Sequence, residues 1–337
     1  MHRKQGRIRP GFTVFDLLVI VVVLLMLIPL LLPMIHRARM ASQAMRCGNN
    51  LSQLALSFHN FHNDCDLFPT GGGNAEQGRG YRANGKIERT PPLGGKLPQG
   101  AEVLTAPWQE WGWAYQILPY LEQHAAFALA EDDKIRQHEV PPYFCPARRS
   151  PALNERNAKG LTLAALDYAG NGGITGPAKK FDALTAARYV PPFEDYTATG
   201  AVIRSSHWYP EKGAKLRSVS LDGGIPDGTS NTVLLLEKRM QLGMVNKNPP
   251  NDDWSYVDGW SDDTIVRYHP EDEKLQPKQD NQDPVPPFAM GSAHAKFMYV
   301  LMLDRSIRRI RYLAKPEALA AIMVRDDRMN IRWDDLE

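Results

Sequence analysis

The sequence predicts an α+β protein, with one long N-terminal helix followed by a turn-rich domain that contains strands. Three observations carry this. An apolar run, Gly11–Pro33, is continued to His62 by apolar residues at three- and four-residue spacing. The 337 residues include 26 Gly and 26 Pro, which punctuate turns and argue against a helical bundle. Finally, Thr232–Leu236 reads as a buried strand, and Phe297–Leu303 with Ser306–Tyr312 reads as a hairpin around Asp304-Arg305.

The first element is the apolar run. From Phe12 to Leu32 its only ionisable side chain is Asp16. As helix, Phe12–Pro33 would reach about 33 Å, enough for a bilayer core of roughly 30 Å. Arg3, Lys4, Arg7 and Arg9 precede it, with no acidic residue among them. An ordinary secretory signal would have a shorter apolar region and a small-residue cleavage site, and PMIHRARM offers none. Hydropathy leaves a plain anchor and a prepilin leader open. Charge asymmetry separates them little, because Arg37 and Arg39 follow the span as closely as Arg7 and Arg9 precede it. A carboxylate inside a membrane helix is costly and calls for a partner, so Asp16 decides.

Beyond Pro33 the stripe runs through Ile35, Ala38, Ala41, Met45, Leu51, Leu54, Ala55 and Phe58. It predicts one helix from about Phe12 to His62, weakened near Gly48-Asn49-Asn50, with one face of its second half on the soluble domain. His59 and His62 read as surface or capping histidines rather than metal ligands. Residues 71–107 read as a long loop or insertion. In Trp108–Leu129 the aromatics read as the edge of a core rather than a carbohydrate site, and Pro141–Pro146 reads as extended. Asp167–Gly173 is too rich in glycine for a strand interior and predicts a tight turn without phosphate-loop character. Glu237 closes the Thr232–Leu236 strand and reads as a solvated strand end. Asp252, Asp253, Asp258, Asp262 and Asp263 lack the spacing of a calcium loop. Pro316–Arg325 reads as a short amphipathic helix before a charged tail.

Composition limits the function classes. Forty Lys+Arg against 38 Asp+Glu give a formal charge of +2, with no basic face that would suggest nucleic acid. Cys47, Cys65 and Cys145 contain no CxxC pair. They argue against zinc and allow one disulfide plus one free thiol in an exported domain. No metal or cofactor is expected. Ser292, His294 and Asp304 suggest a triad, but Ser292 and His294 share one segment and no nucleophile elbow accompanies them, so no enzyme is expected.

The N-terminus resembles the type IV prepilin signal: a basic leader, Gly11-Phe12-Thr13, and an acidic residue at the fifth position after the glycine. The resemblance implies cleavage after Gly11 by a prepilin peptidase and N-methylation of Phe12. It also implies an assembly role for Asp16, which stands where that family carries Glu. In assembly the carboxylate pairs with the terminal amine of a neighbouring subunit, each charge relieving the other's desolvation. Pro33 falls where pilin helices often carry proline.

The rest resembles the planctomycete DUF1559, or H-X9-DG, family. The matching segments are Cys47-Gly48-Asn49-Asn50-Leu51 with His59-Asn60, Phe68-Pro69, Leu118–Gln123, Cys145-Pro146, Asp167–Gly172, Asp227–Thr232 and His294–Asp304. The family glycine after Asp304 is Arg305 here, which would be strained in a two-residue turn, so a turn that is opened or of another type is expected. The resemblance implies a pseudopilin G-like subunit with its helix against a mainly antiparallel sheet. It implies a Cys47–Cys145 disulfide with Cys65 left free, and no established enzyme activity. The implied organisation is a leader (1–11), a transmembrane half-helix (12–33), a soluble half-helix (34–63), a mainly β outer domain (64–315) and a C-terminal helix with tail (316–337). A single-pass protein of the cytoplasmic membrane is expected, its C-terminal domain periplasmic or at the cell surface. Its expected partners are the membrane, the peptidase and other pilin-like subunits. The alternative is an anchored module that binds glycans or other ligands without forming filaments.

Overall fold

A computed structural model describes residues 14–74, 77–157, 159–174, 199–205 and 219–337. It divides into two compact units, Met1–Met45 and Arg46–Glu337. Helix α1, Val14–Cys65, contributes to both. Proline lacks the amide needed for the helical ladder and its ring crowds the preceding turn, which explains a bend of 40° between Pro29 and Leu31. The helix is not weakened at Gly48-Asn49-Asn50. Its ladder continues there, the Ser52 hydroxyl donates to the Gly48 carbonyl (3.2 Å), and the Asn50 amide donates to the Phe144 carbonyl (2.7 Å) instead of competing for the local backbone.

Of the predicted stripe, Leu51, Leu54, Ala55 and Phe58 are buried within the second unit, while Ile35 and Met45 of the first are exposed; Cys47 and Phe61 are buried as well. Phe58 packs on Trp113 with ring centres 5.5 Å apart, and the Ser57 hydroxyl donates to the Tyr120 carbonyl at 2.9 Å. Trp111, Trp113 and Tyr115 are fully buried, so these aromatics are core rather than core edge.

The segment read as a loop at 71–107 contains β1 (Gly80–Ala83), β2 (Lys86–Arg89) and β3 (Glu102–Val103), an antiparallel sheet ordered β2-β1-β3. Short helices follow: α2 (Trp113–Gln116), α3 (His124–Phe127) and α4 (Asp132–Arg136). Pro141–Tyr143 forms a single 3-10 turn in place of the extended segment expected, because prolines preset the φ of its first residues.

The main sheet comprises β4 (Tyr168–Ile174), β5 (Val233–Glu237), β6 (Ile265–Tyr268), β9 (Phe297–Met302) and β10 (Ile307–Arg311), in the order β10-β9-β5-β4-β6. Three of its pairings are antiparallel, but β4 and β6 are parallel, so the sheet is mixed. A separate parallel pair joins β7 (Lys278–Gln279) to β8 (Gly291–Ser292). Helix α5, Pro316–Met323, places Leu319, Ile322 and Met323 in one apolar cluster with Met298, Val300, Met302 and Ile310 of the sheet. Leu336 joins that cluster, so residues near both ends of the 316–337 segment belong to the same core.

Strand β4 replaces the tight turn expected at Asp167–Gly173. Its glycines reflect crowding. A Cβ on Gly170 would lie 2.9 Å from Val202, and one on Gly172 would lie 2.6 Å from Ile265 and 3.1 Å from Trp260. Only hydrogen fits where these side chains cross the strand. The buried Asn171 amide donates to Val233 (2.7 Å) and Met323 (3.0 Å) carbonyls and accepts from the Gly173 amide (2.8 Å), tying β4 to β5 and α5.

The β9–β10 hairpin forms as expected, and its turn is of another type than the two-residue one rather than opened. The Arg305 amide donates to Met302 (3.0 Å) and the Met302 amide to Ser306 (2.8 Å), with Arg305 at φ 72°. This is the three-residue loop whose last position is left-handed, the place a glycine would fill without cost. The Asp304 carboxylate accepts from the Ser306 amide at 2.8 Å and holds the turn closed.

Candidate functional site

Two regions carry the residues of interest. Gly11 and Phe12 lie outside the described residues. Asp16 is in the first turn of α1, exposed among apolar neighbours. The large apolar side chains described from Val14 to Leu32 are all exposed, from 42% at Ile20 and Val22 to 83% at Val14. Among the described residues no single helix is long and apolar enough to cross a membrane. The bent pair Val14–Pro29 and Leu31–Cys65 meets that test of length and composition together.

The second region gathers around His294. Four segments meet there: α1 brings Cys47, the loop after the 3-10 turn brings Cys145, the end of β5 brings Glu237, and the chain leaving β8 brings His294. Cys47 and Cys145 are joined as a disulfide across 98 residues, and Cys65 is a free cysteine. The Tyr168 hydroxyl donates to the Cys47 carbonyl (3.3 Å), and the Cys145 amide donates to Asp167 (2.8 Å), fixing both ends of the bridge. His294 Nε2 lies 3.8 Å from Cys145 Sγ and 3.5 Å from Glu237 Oε1. The imidazole stacks on Phe297 and meets Tyr299 edge-on, both at 5.2 Å between ring centres. Its backbone amide donates to Ser292 Oγ (3.1 Å), and the Tyr312 hydroxyl donates to its carbonyl.

Glu237 is fully buried, not solvated as its place after an apolar run suggested. Burial pushes its carboxyl up to about 7 although Arg148 pulls the other way. Burial also lowers the His294 imidazole to about 4, aided by Arg148 and Arg309. Glu237 Oε2 accepts from the Tyr299 amide (2.8 Å), while Oε1 has no hydrogen-bond partner. The ligand atoms of Cys47, Cys145, Glu237 and His294 all lie within 4.8 Å of one another. Sequence reasoning missed Glu237 as a member of this group. The signal that could have found it is a carboxylate closing the uninterrupted apolar run of β5.

The triad does not assemble. Ser292 Oγ faces the His294 backbone rather than its ring. Asp304 lies past the opposite end of β9, bonded to Ser306. His294 meets both Glu237 and Cys145 through the same nitrogen, so it cannot relay a proton between them. His59 Nε2 bonds the Leu303 carbonyl (2.8 Å) and His62 Nε2 accepts from the Leu221 amide (3.1 Å), so each serves a different segment. Of the five aspartates at 252–263, Asp252 is held by Arg149 (2.6 Å) and Lys238 (3.0 Å). Burial and Asp253 together push Asp262 and Asp263 upward, towards the neutral acid.

The family profile SBP_bac_10, described as "Protein of unknown function (DUF1559)", matches residues 36–313. The chain belongs to this family. In this DUF1559 protein the match begins after the apolar run and ends beyond β10, so it contains Cys47, Cys145, Glu237, His294 and Asp304 but not Asp16. No curated protein and no solved structure matches the chain.

Proposed function

We propose that this DUF1559 protein is a membrane-anchored, pseudopilin-like subunit of a secretion or surface-filament system. One observation carries the reading: an exposed apolar helix, Val14–Leu32, interrupted by a single carboxylate at Asp16 and preceded by a basic leader and the Gly11-Phe12 junction. Exposed apolar surface on this scale is unfavourable in water and favourable in lipid. A carboxylate there needs a partner, and the terminal amine released by cleavage after Gly11 would supply one. The prepilin peptidase makes the cut, and neighbouring pilin-like subunits receive the carboxylate. The remaining domain is then carried outside the cytoplasmic membrane, where the Cys47–Cys145 disulfide is chemically at home. The test is N-terminal sequencing of the membrane-extracted protein. A chain beginning at methylated Phe12 supports the reading, and a chain beginning at Met1 overturns it. With processing intact, Asp16→Ala should abolish incorporation into filaments.

A second reading, an anchored binding module, draws on a cavity of about 740 Å³ lined by residues including Glu271, Gln276, Lys278, Tyr312 and Pro316. That volume suits a small molecule or a short segment of a larger one. A processed protein that stays monomeric in the membrane favours this reading over assembly.

A further inference from the structure

Membrane anchoring makes no use of the buried Cys47, Cys145, Glu237 and His294. Their donor atoms lie within 4.8 Å of one another, and each comes from a different segment. A tetrahedral zinc ion with bonds of about 2.0–2.3 Å has ligand-to-ligand edges of about 3.3–3.8 Å. His294 Nε2 lies 3.5 Å from Glu237 Oε1 and 3.8 Å from Cys145 Sγ. Glu237 Oε1 supplies an independent sign. It is buried without a hydrogen-bond partner, while the Tyr299 amide grips Oε2 and fixes the carboxylate's orientation. Leaving such an acceptor unsatisfied costs about 1–3 kcal/mol, and a cation would remove that cost. A carboxylate oriented by a backbone amide is also the supporting arrangement expected of a metal ligand.

We propose that these four side chains bind a zinc ion when the Cys47–Cys145 disulfide is open. A dithiol reductant supplies two electrons and two protons, becoming a cyclic disulfide, and leaves two thiols in this protein. Zinc then displaces one proton from each thiol, and that of the Glu237 carboxyl where it is protonated, releasing them to solvent, and takes the His294 imidazole and the Glu237 carboxylate as its remaining ligands. Two thiolates, an imidazole and a carboxylate suit zinc. The site therefore has two exclusive linked states, disulfide without metal and dithiolate with metal. Both join α1 to the loop at Cys145. The cysteine spacing gave no hint of this, because the ligands meet only in the tertiary fold.

The test uses the full chain in detergent, reduced anaerobically, freed of reductant and titrated with cobalt(II) as a spectroscopic probe. The expected result is a thiolate-to-cobalt charge-transfer band that saturates at one metal per chain, is displaced by zinc, and is absent from the oxidised protein. Glu237→Gln and His294→Ala should each weaken binding by at least about tenfold while still forming the disulfide when oxidised. Cys65→Ser should bind like the parent chain. If reduction loosens the fold, zinc should restore the near-ultraviolet circular dichroism. The proposal is overturned by a missing cobalt–thiolate band, by binding that is unchanged in both Glu237→Gln and His294→Ala, by dependence on Cys65, or by a reduced chain that zinc does not refold.

Discussion

Arg305 shows how one residue can depart from a turn's preferred chemistry while the turn survives. Its φ of 72° is left-handed, where a Cβ costs roughly 1–2 kcal/mol. The Asp304 carboxylate and the paired strands hold it there. Arg305→Gly should therefore raise stability by about 1 kcal/mol, read as a higher denaturant midpoint at unchanged slope. Glu110 offers a pH-dependent counterpart. Burial pushes its carboxyl up to about 7 from 4.5, against the pull of Arg89 and Arg204. Between those values the folded chain keeps a proton that the unfolded chain releases, so stability falls as pH rises through that window. Glu110→Gln removes this contribution. Its melting temperature relative to the parent should rise from pH 4.5 to 7 and level off above, and a flat difference would contradict the assignment.

Strand β4 and helix α1 are the elements in which local sequence and final structure differ most instructively. In β4 the glycines look like turn formers, yet they are spaces into which Val202, Ile265 and Trp260 fit. Gly172→Ala should cost about 1–3 kcal/mol through overpacking, measured by thermal or denaturant unfolding. A neutral result would show that Ile265 and Trp260 can yield. For α1 the prediction concerns lipid. Leu24 lies within the exposed apolar stretch, and an arginine near the centre of a spanning helix costs roughly 2.5–3.5 kcal/mol. Leu24→Arg should shift the protein from the alkali-resistant membrane fraction to the soluble one. Equal retention of both forms would argue against insertion of this segment.

Across the second unit, buried charge joins segments that strands and helices leave apart. Arg148 reaches Asp167 (3.1 Å) and Asp280 (2.8 Å), Arg149 reaches Asp167 (2.7 Å) and Asp252 (2.6 Å), and Lys238 reaches Asp252 (3.0 Å). These side chains are almost wholly inaccessible to water. Burial alone would raise Asp252, but Arg149 and Lys238 outweigh it and hold the carboxyl at about 2. Removing one partner from such a network leaves an uncompensated charge in a dry interior. Asp167→Ala should therefore destabilise the protein by about 3–5 kcal/mol, seen as a large fall in melting temperature. The network links the loop after Cys145 to the entry of β4, the exit of β5 and two polar segments that show no periodicity in the sequence.

Periodicity and short-range chemistry encode the local features of this chain. Among these are the apolar run, the stripe buried at Leu51, Leu54 and Phe58, the strand at Val233–Leu236 and the hairpin on either side of Asp304. In each, neighbours along the chain share one environment, so spacing alone carries the signal. The motifs containing Cys47, Cys145, His294 and Asp304 were also legible, as words without an arrangement. Long-range packing makes β4 a strand, sets β6 parallel to it, and buries Glu237 against His294 and the disulfide. Those outcomes depend on which distant side chains approach: Val202 and Ile265 at the glycines of β4, Tyr299 at Glu237, and α1 at Cys145. Burial and donor geometry belong to contacts between segments far apart in sequence, and no local pattern specifies them.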